Sequence, residues 1–100
     1  MIIPKRFKLM GHTIKVEFDP KLQFRENCTG EARYRSRNII IASSTDDHPR
    51  FQSDLEQTFY HELMHWIFHE LNEPDLCNNE KLVDTIAALL QQAHSTMEYE

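Results

Sequence analysis

His61-Glu62-Leu63-Met64-His65 sets two imidazoles four residues apart with a carboxylate beside the first. On a helix that spacing brings the two rings to one face, about 5–6 Å apart at Cβ, where their nitrogens can share one ion. At 100° per residue from His61, His65 falls near roughly 40° and Glu62 near roughly 100°. Phe59, Leu63, Trp66, Ile67 and Leu71 fill an arc of roughly 140–280°, the side expected to face a core. Glu62 then borders the metal face without ligating the ion, the position of a general base that takes a proton from an activated water.

Two histidines need a third protein ligand and an open position for water if the ion is catalytic zinc. His69 continues the four-residue spacing but lies about 12 Å along a straight helix from His61, too far for one ion to reach both. It is expected to line a cleft or the surface. The longer spacing of metzincins needs a His six positions after the second ligand, and Leu71 stands there. Glu80 is better placed, fifteen residues beyond His65 and in the first turn of a second predicted helix, where the helix dipole favours a carboxylate. Asp84, one turn later, can accept an imidazole N–H and so fix a ligand's tautomer. The plainer alternatives are surface histidines on an amphipathic helix, an ordinary first-turn carboxylate and a solvated Asp.

Elements that can position this chemistry follow from the periodicities. Phe7 and Leu9 alternate with charged residues, Gly11-His12 offers a turn, and Ile14, Val16 and Phe18 alternate with polar residues up to Asp19-Pro20, which reads as two strands. Residues 21–31 are mixed, with turn chemistry at Asn27-Cys28-Thr29-Gly30, and a further strand is expected around 32–35. Asn38-Ile39-Ile40-Ile41-Ala42 is a β-branched run suited to a well-packed strand. Phe51, Leu55, Phe59, Leu63 and Ile67 recur every four residues, predicting a helix over about 49–71 with Pro49 in its first turn. After a break at 72–79 with Pro74, a second helix over about 79–94 carries Leu82, Val83, Ile86, Ala87, Leu89, Leu90 and Ala93 on its apolar face. Strands first and then two helices predicts an α+β domain, with the helices on one face of a small, mostly antiparallel sheet.

The chain of 100 residues has the size of one domain spanning 1–100, with a core small enough to gain from a metal. A net charge of −5 argues against a general nucleic-acid binder. That charge is unevenly spread: residues 1–37 hold nine basic and four acidic side chains, and residues 38–100 hold two basic and twelve acidic ones. This predicts a basic sheet beside acidic helices, or a first third that meets an acidic partner. Cys28 and Cys77 lack any framework or ligand spacing and read as reduced thiols. With no apolar run long enough for a signal or a span, the protein is expected to be cytoplasmic and off the membrane.

His61-Glu62-Leu63-Met64-His65 followed by Asn79-Glu80-Lys81-Leu82-Val83-Asp84 resembles the gluzincin metallopeptidases, whose thermolysin-like members pair HExxH with a downstream Asn-Glu-x-x-x-Asp. In length and layout the whole chain is similar to the single-domain minigluzincins and related phage-type metallopeptidases. The resemblance implies a minimal zincin-like fold with one Zn2+ held by His61, His65 and Glu80. It further implies Glu62 as general base and acid, Asp84 as partner of a ligating histidine, and a peptide or protein substrate. By the same likeness Asn38, Ile39, Ile40, Ile41 and Ala42 form the edge strand that an extended peptide pairs with. Larger gluzincins stabilise the oxyanion from a later subdomain for which this chain is too short, leaving His94, Tyr99, Tyr60 and His69 as substitutes of equal standing. The expected activity is zinc-dependent peptide-bond hydrolysis. Its alternatives are a zinc-fastened peptide-recognition or regulatory module, and a latent protease whose tail at residues 95–100 folds into the cleft.

Overall fold

A computed structural model of the chain describes residues 3–23 and 28–99. Strands β1 (Arg6–Leu9), β2 (His12–Asp19), β3 (Gly30–Arg33) and β4 (Asn38–Ala42) precede helices α1 (Gln52–Glu70), α2 (Pro74–Cys77) and α3 (Glu80–Thr96). The α+β expectation holds, while the sheet is mixed. Its order is β1-β2-β4-β3, with β1/β2 and β3/β4 antiparallel and β2/β4 parallel.

Local chemistry accounts for most of the boundaries. Met10 and Gly11, both at positive φ, close the β1–β2 hairpin through the two-residue turn that matches strand twist. At the start of α1, the Asp54 carboxylate accepts the Phe51 N–H at 3.0 Å, so the helix begins at Gln52, slightly later than Pro49. At its end Asn72 adopts φ 55°, with Glu73 N–H bonded to Phe68 O and Asn72 N–H to His69 O. This is the Schellman arrangement, and Pro74 follows to open the short helix α2. Asn79 caps α3 by accepting the Leu82 N–H at 3.1 Å, which fixes Glu80 as the first helical residue. Of the predicted turn at 27–30, Asn27 lies outside the described residues.

The core lies between the sheet and α1, where Ile14, Val16, Ile39 and Ile41 meet Phe59, Tyr60 and Trp66. On the opposite face of the sheet Leu22 and Cys28 cover Ile40 and Ala42. All five residues of β4 are therefore buried. Helix α3 joins α1 through Val83, which packs with Met64 and Phe68. Helix α1 is thus buried along two sides, more widely than a single apolar arc implies, and Leu71 lies outside the core as an exposed residue.

One expectation about β4 is corrected. Asn38–Ala42 is an inner strand, flanked by β2 on one side and β3 on the other, so it has no free edge for a peptide. Strand β3 lies on the far side of β4 from β2 and so takes the edge of the sheet. No described helix is long and apolar enough to cross a membrane.

Candidate metal centre

His61 and His65 project from the middle of α1, and Glu80 comes from the first turn of α3, which packs alongside. Their donor atoms converge. His61 Nε2 lies 3.0 Å from Glu80 Oε2, His65 Nε2 lies 3.2 Å from Glu80 Oε1, and the two Nε2 atoms are 3.2 Å apart. The three residues form a group whose ligand atoms all lie within 4.8 Å of one another.

Those separations fit a metal ion. Bonds of about 2.0–2.2 Å in a tetrahedral site put neighbouring ligand atoms about 3.4 Å apart. The donors here are within a few tenths of an ångström of that spacing before any ion draws them together. Two imidazole nitrogens and one carboxylate suit zinc, and also other divalent ions that accept nitrogen and oxygen.

The far sides of the rings are held differently. His61 Nδ1 faces Asp84 Oδ1 at 3.2 Å, and Gln57 Nε2 donates to the same oxygen at 3.4 Å. His65 Nδ1 faces Cys77 Sγ at 3.4 Å, at the end of α2. With Nδ1–H donating to Asp84 and to the thiol, both Nε2 lone pairs point at each other and at the Glu80 carboxylate. Three lone-pair donors aimed at one point repel unless a cation or a proton sits among them.

Glu62 sits one residue from His61 on the side toward β3, and only 7% of it is exposed. Burial pushes its carboxyl up to about 7, against the opposing pull of His61 and a hydrogen bond from the Ala32 backbone. A positive charge at the adjacent cluster favours the ionised form. Gly30 is what lets the strand come this close: a Cβ there would stand 3.0 Å from Glu62 Oε2 and would run into the Thr58 methyl. Burial, the largest influence on His65, disfavours its charged form.

A cleft runs along β3 past these groups. One stretch of about 450 Å3 is lined by Gly30, Ala32, Tyr34, Glu62, His65 and Glu80, among others, and a second of about 410 Å3 by Thr29, Gly30, Thr58, His61, Glu62 and Asp84. The outer side of β3 is polar backbone. Thr29 and Ala42 are opposed and hydrogen-bonded, so by antiparallel alternation Gly30 and Ala32 turn their N–H and C=O groups away from β4.

The sequence-derived residues are thus brought together at His61, Glu62, His65, Glu80 and Asp84, while the residues of β4 lie behind β3. Asn38 is occupied structurally, its carbonyl accepting Trp66 Nε1–H and its side chain accepting Ser36 Oγ–H. His69 stands outside the donor cluster, its ring stacked on Tyr34 at 3.9 Å between centroids. Tyr60 is buried and bonded to His94, and Tyr99 is 84% exposed, so neither Tyr60–His94 nor Tyr99 lines the cleft. Cys77 and Tyr34 are the site residues that spacing did not reveal: each is brought in by a separate element, and no motif links them. Comparison with known proteins gives no match to any family model, curated protein or solved structure.

Proposed function

We propose that the protein is a zinc-dependent metallopeptidase of gluzincin type, with a minimal zincin-like fold and with His61, His65 and Glu80 as the ligands. The observation that carries this reading is the convergence of two Nε2 atoms and one carboxylate at 3.0–3.2 Å beside a buried carboxylate that is not part of the cluster. When bound, the ion supplies Lewis acidity, polarising a carbonyl and making water a stronger acid.

The chain's own residues do the rest. Glu62 takes the proton of the attacking water and returns it to the leaving amine, a task suited to a desolvated carboxylate beside a cation. Asp84 holds His61 in the Nδ1–H tautomer. The edge of β3 takes the part expected of β4: the outward backbone groups of Gly30 and the outward carbonyl of Ala32, whose N–H is already given to Glu62, are a template for an extended peptide laid along the cleft. Gly30 lets that edge lie close against Thr58 and Glu62 of α1.

A non-catalytic peptide-binding module is the second reading, favoured by the engagement of Tyr60 with His94 and of His69 with Tyr34, which removes the expected oxyanion donors. Metal analysis of the purified protein, joined to a mass-spectrometric screen of peptide cleavage with and without chelator, separates the two. Stoichiometric zinc with chelator-sensitive cleavage supports the peptidase. Stoichiometric zinc with peptide binding and no cleavage supports the module, and absence of metal binding defeats both.

A further inference from the structure

The two imidazoles of the cluster are held by unlike groups, a carboxylate behind His61 and a thiol behind His65. We infer that Cys77 is the positioning residue of His65, fixing the tautomer and ring orientation that present Nε2 to Glu80 and His61. The inference rests on the metal-centre reading and adds to it a residue outside the His-Glu-x-x-His and Asn-Glu-x-x-x-Asp patterns.

Three contacts of the sulfur define the role. Sγ lies 3.6 Å from the His65 carbonyl oxygen, 3.4 Å from His65 Nδ1 and 3.6 Å from the Tyr34 hydroxyl. A neutral thiol has one proton to give and sulfur lone pairs to accept with. Giving that proton to the His65 carbonyl leaves the lone pairs for His65 Nδ1–H. The same side chain therefore grips both the backbone and the ring of one residue, and the Cys77 backbone carbonyl adds a second acceptor for the ring; the thiol is the part of this hold that a side-chain substitution removes.

Cys77 is itself no ligand. Its sulfur is on the Nδ1 side of the ring, whereas the metal-facing atoms of the cluster are the Nε2 pair and the Glu80 oxygens. The thiol is held in turn. Cys77 N–H bonds to Glu73 O at 2.9 Å, closing α2, and Tyr34, which approaches from the other side, is clamped by the stacked His69 ring and by the edge of Trp66. His69, excluded from the ion by distance, thus acts on the site through Tyr34 and the thiol.

The test uses the full-length protein with zinc as probe, comparing wild type with Cys77→Ser and Cys77→Ala by competition against a chromophoric chelator. Loss of an outer partner of a metal-bound His weakens binding by about 10–100-fold. Cys77→Ala is expected to lose zinc affinity in that range and Cys77→Ser, which keeps a donor and an acceptor, to stay within about threefold of wild type. In the metal-free protein at alkaline pH, long-range proton–nitrogen spectra should show His65 as the Nδ1–H tautomer in wild type and Cys77→Ser, and as a mixture in Cys77→Ala. Equal zinc affinity in all three proteins, or an unchanged tautomer in Cys77→Ala, overturns the inference while leaving the metal centre standing. Wild type that binds no zinc overturns the metal reading and this inference together. Should Cys77→Ala fail to fold, the tautomer and affinity of Cys77→Ser decide the matter: an Nε2–H ring or a tenfold loss of affinity overturns the assignment.

Discussion

His61 Nε2 and His65 Nε2 stand 3.2 Å apart with no proton assigned to either by the bonds their Nδ1 atoms make. A cation between them converts a repulsive cluster into a fastener that ties α1 to α3. Zinc at 1,000 times its dissociation constant adds about 4 kcal/mol to folding, and each kcal/mol moves the melting temperature of a domain this size by about 4–8 °C. Chelation should therefore lower the melting temperature by tens of degrees in a scan followed by circular dichroism. His61→Ala, His65→Ala and Glu80→Ala should each lose most of the bound zinc and of that increment. Full zinc stoichiometry in any one of them removes that residue from the ligand set.

Glu62 gives a prediction whose sign depends on burial. In the metal-free protein its carboxyl titrates near 7, against 4.5 without burial, so the folded state holds a proton that the unfolded chain has released across that window. Stability contributed by this residue is highest below pH 4.5 and falls as pH rises to 7, by about 3 kcal/mol at most. His65, shifted downward by burial, acts in the opposite direction, so the comparison must isolate Glu62. In chelator, the melting temperature of wild type relative to Glu62→Gln should fall between pH 5 and 7 and level off above that. A pH-independent difference would mean that Glu62 is not held protonated. With zinc, Glu62→Gln should keep stoichiometric metal and lose at least about 100-fold in peptide hydrolysis, the usual scale of a general base; wild-type cleavage by this variant assigns the proton transfer elsewhere.

The constellation was legible in the sequence because helix geometry carries it. His61, Glu62 and His65 are related by a local period, and the Asn79 cap sets the register of Glu80 and Asp84 on the next helix. The α+β layout followed from the change of period near residue 50, and β4 was bounded correctly by its β-branched run. The edge of the sheet was not legible. Strand order depends on which side of β4 receives β3, which no periodicity in the sequence between β2 and β3 announces, and the burial of Ile40 and Ala42 comes from Leu22 and Cys28 covering that face. A fully apolar strand is expected to be central on physical grounds, since an edge presents unpaired backbone to water. The family likeness pointed the other way. Cys77 was invisible for a similar reason: its approach to His65 depends on the Schellman turn at Asn72 and on α2, and neither leaves a ligand spacing in the chain.

Arg50 binds the site's supports together. Its guanidinium donates to Ala42 O at 2.7 Å, Thr29 O at 3.4 Å, Asp54 O at 3.1 Å and the Thr58 hydroxyl, joining the end of β4, the approach to β3 and the first turns of α1. Burial, its largest influence, makes the charged form somewhat less favourable. Hydrogen bonds from charged groups contribute about 1.5–3 kcal/mol each when lost partners stay buried, although this side chain is partly solvated. Arg50→Ala should cost about 2–3 kcal/mol in urea denaturation. Arg50→Lys should recover less than half, because an ammonium cannot span several acceptors in a planar fork. Full recovery by lysine would reduce the role of Arg50 to its charge alone.

Gly30 tests whether β3 and α1 must touch for the site to work. Its φ is not in the left-handed region, so conformational freedom is not the issue; contact is. A methyl group at this position would meet the β-branched Thr58 methyl and would stand 3.2 Å from Glu62 Cγ. Threonine has little rotamer freedom in a helix, so the strand or Glu62 must move. Overpacking of this kind costs about 1–3 kcal/mol. Gly30→Ala should lower the urea midpoint by that amount and reduce peptide cleavage more than zinc affinity, since Glu62 and the β3 edge lie at the clash while the Nε2 cluster faces α3. Pairing Gly30→Ala with Thr58→Ser removes the offending methyl and should restore most of the stability. If the double variant remains as unstable as Gly30→Ala, the strain lies in β3 itself and the close approach of strand to helix does not determine this position.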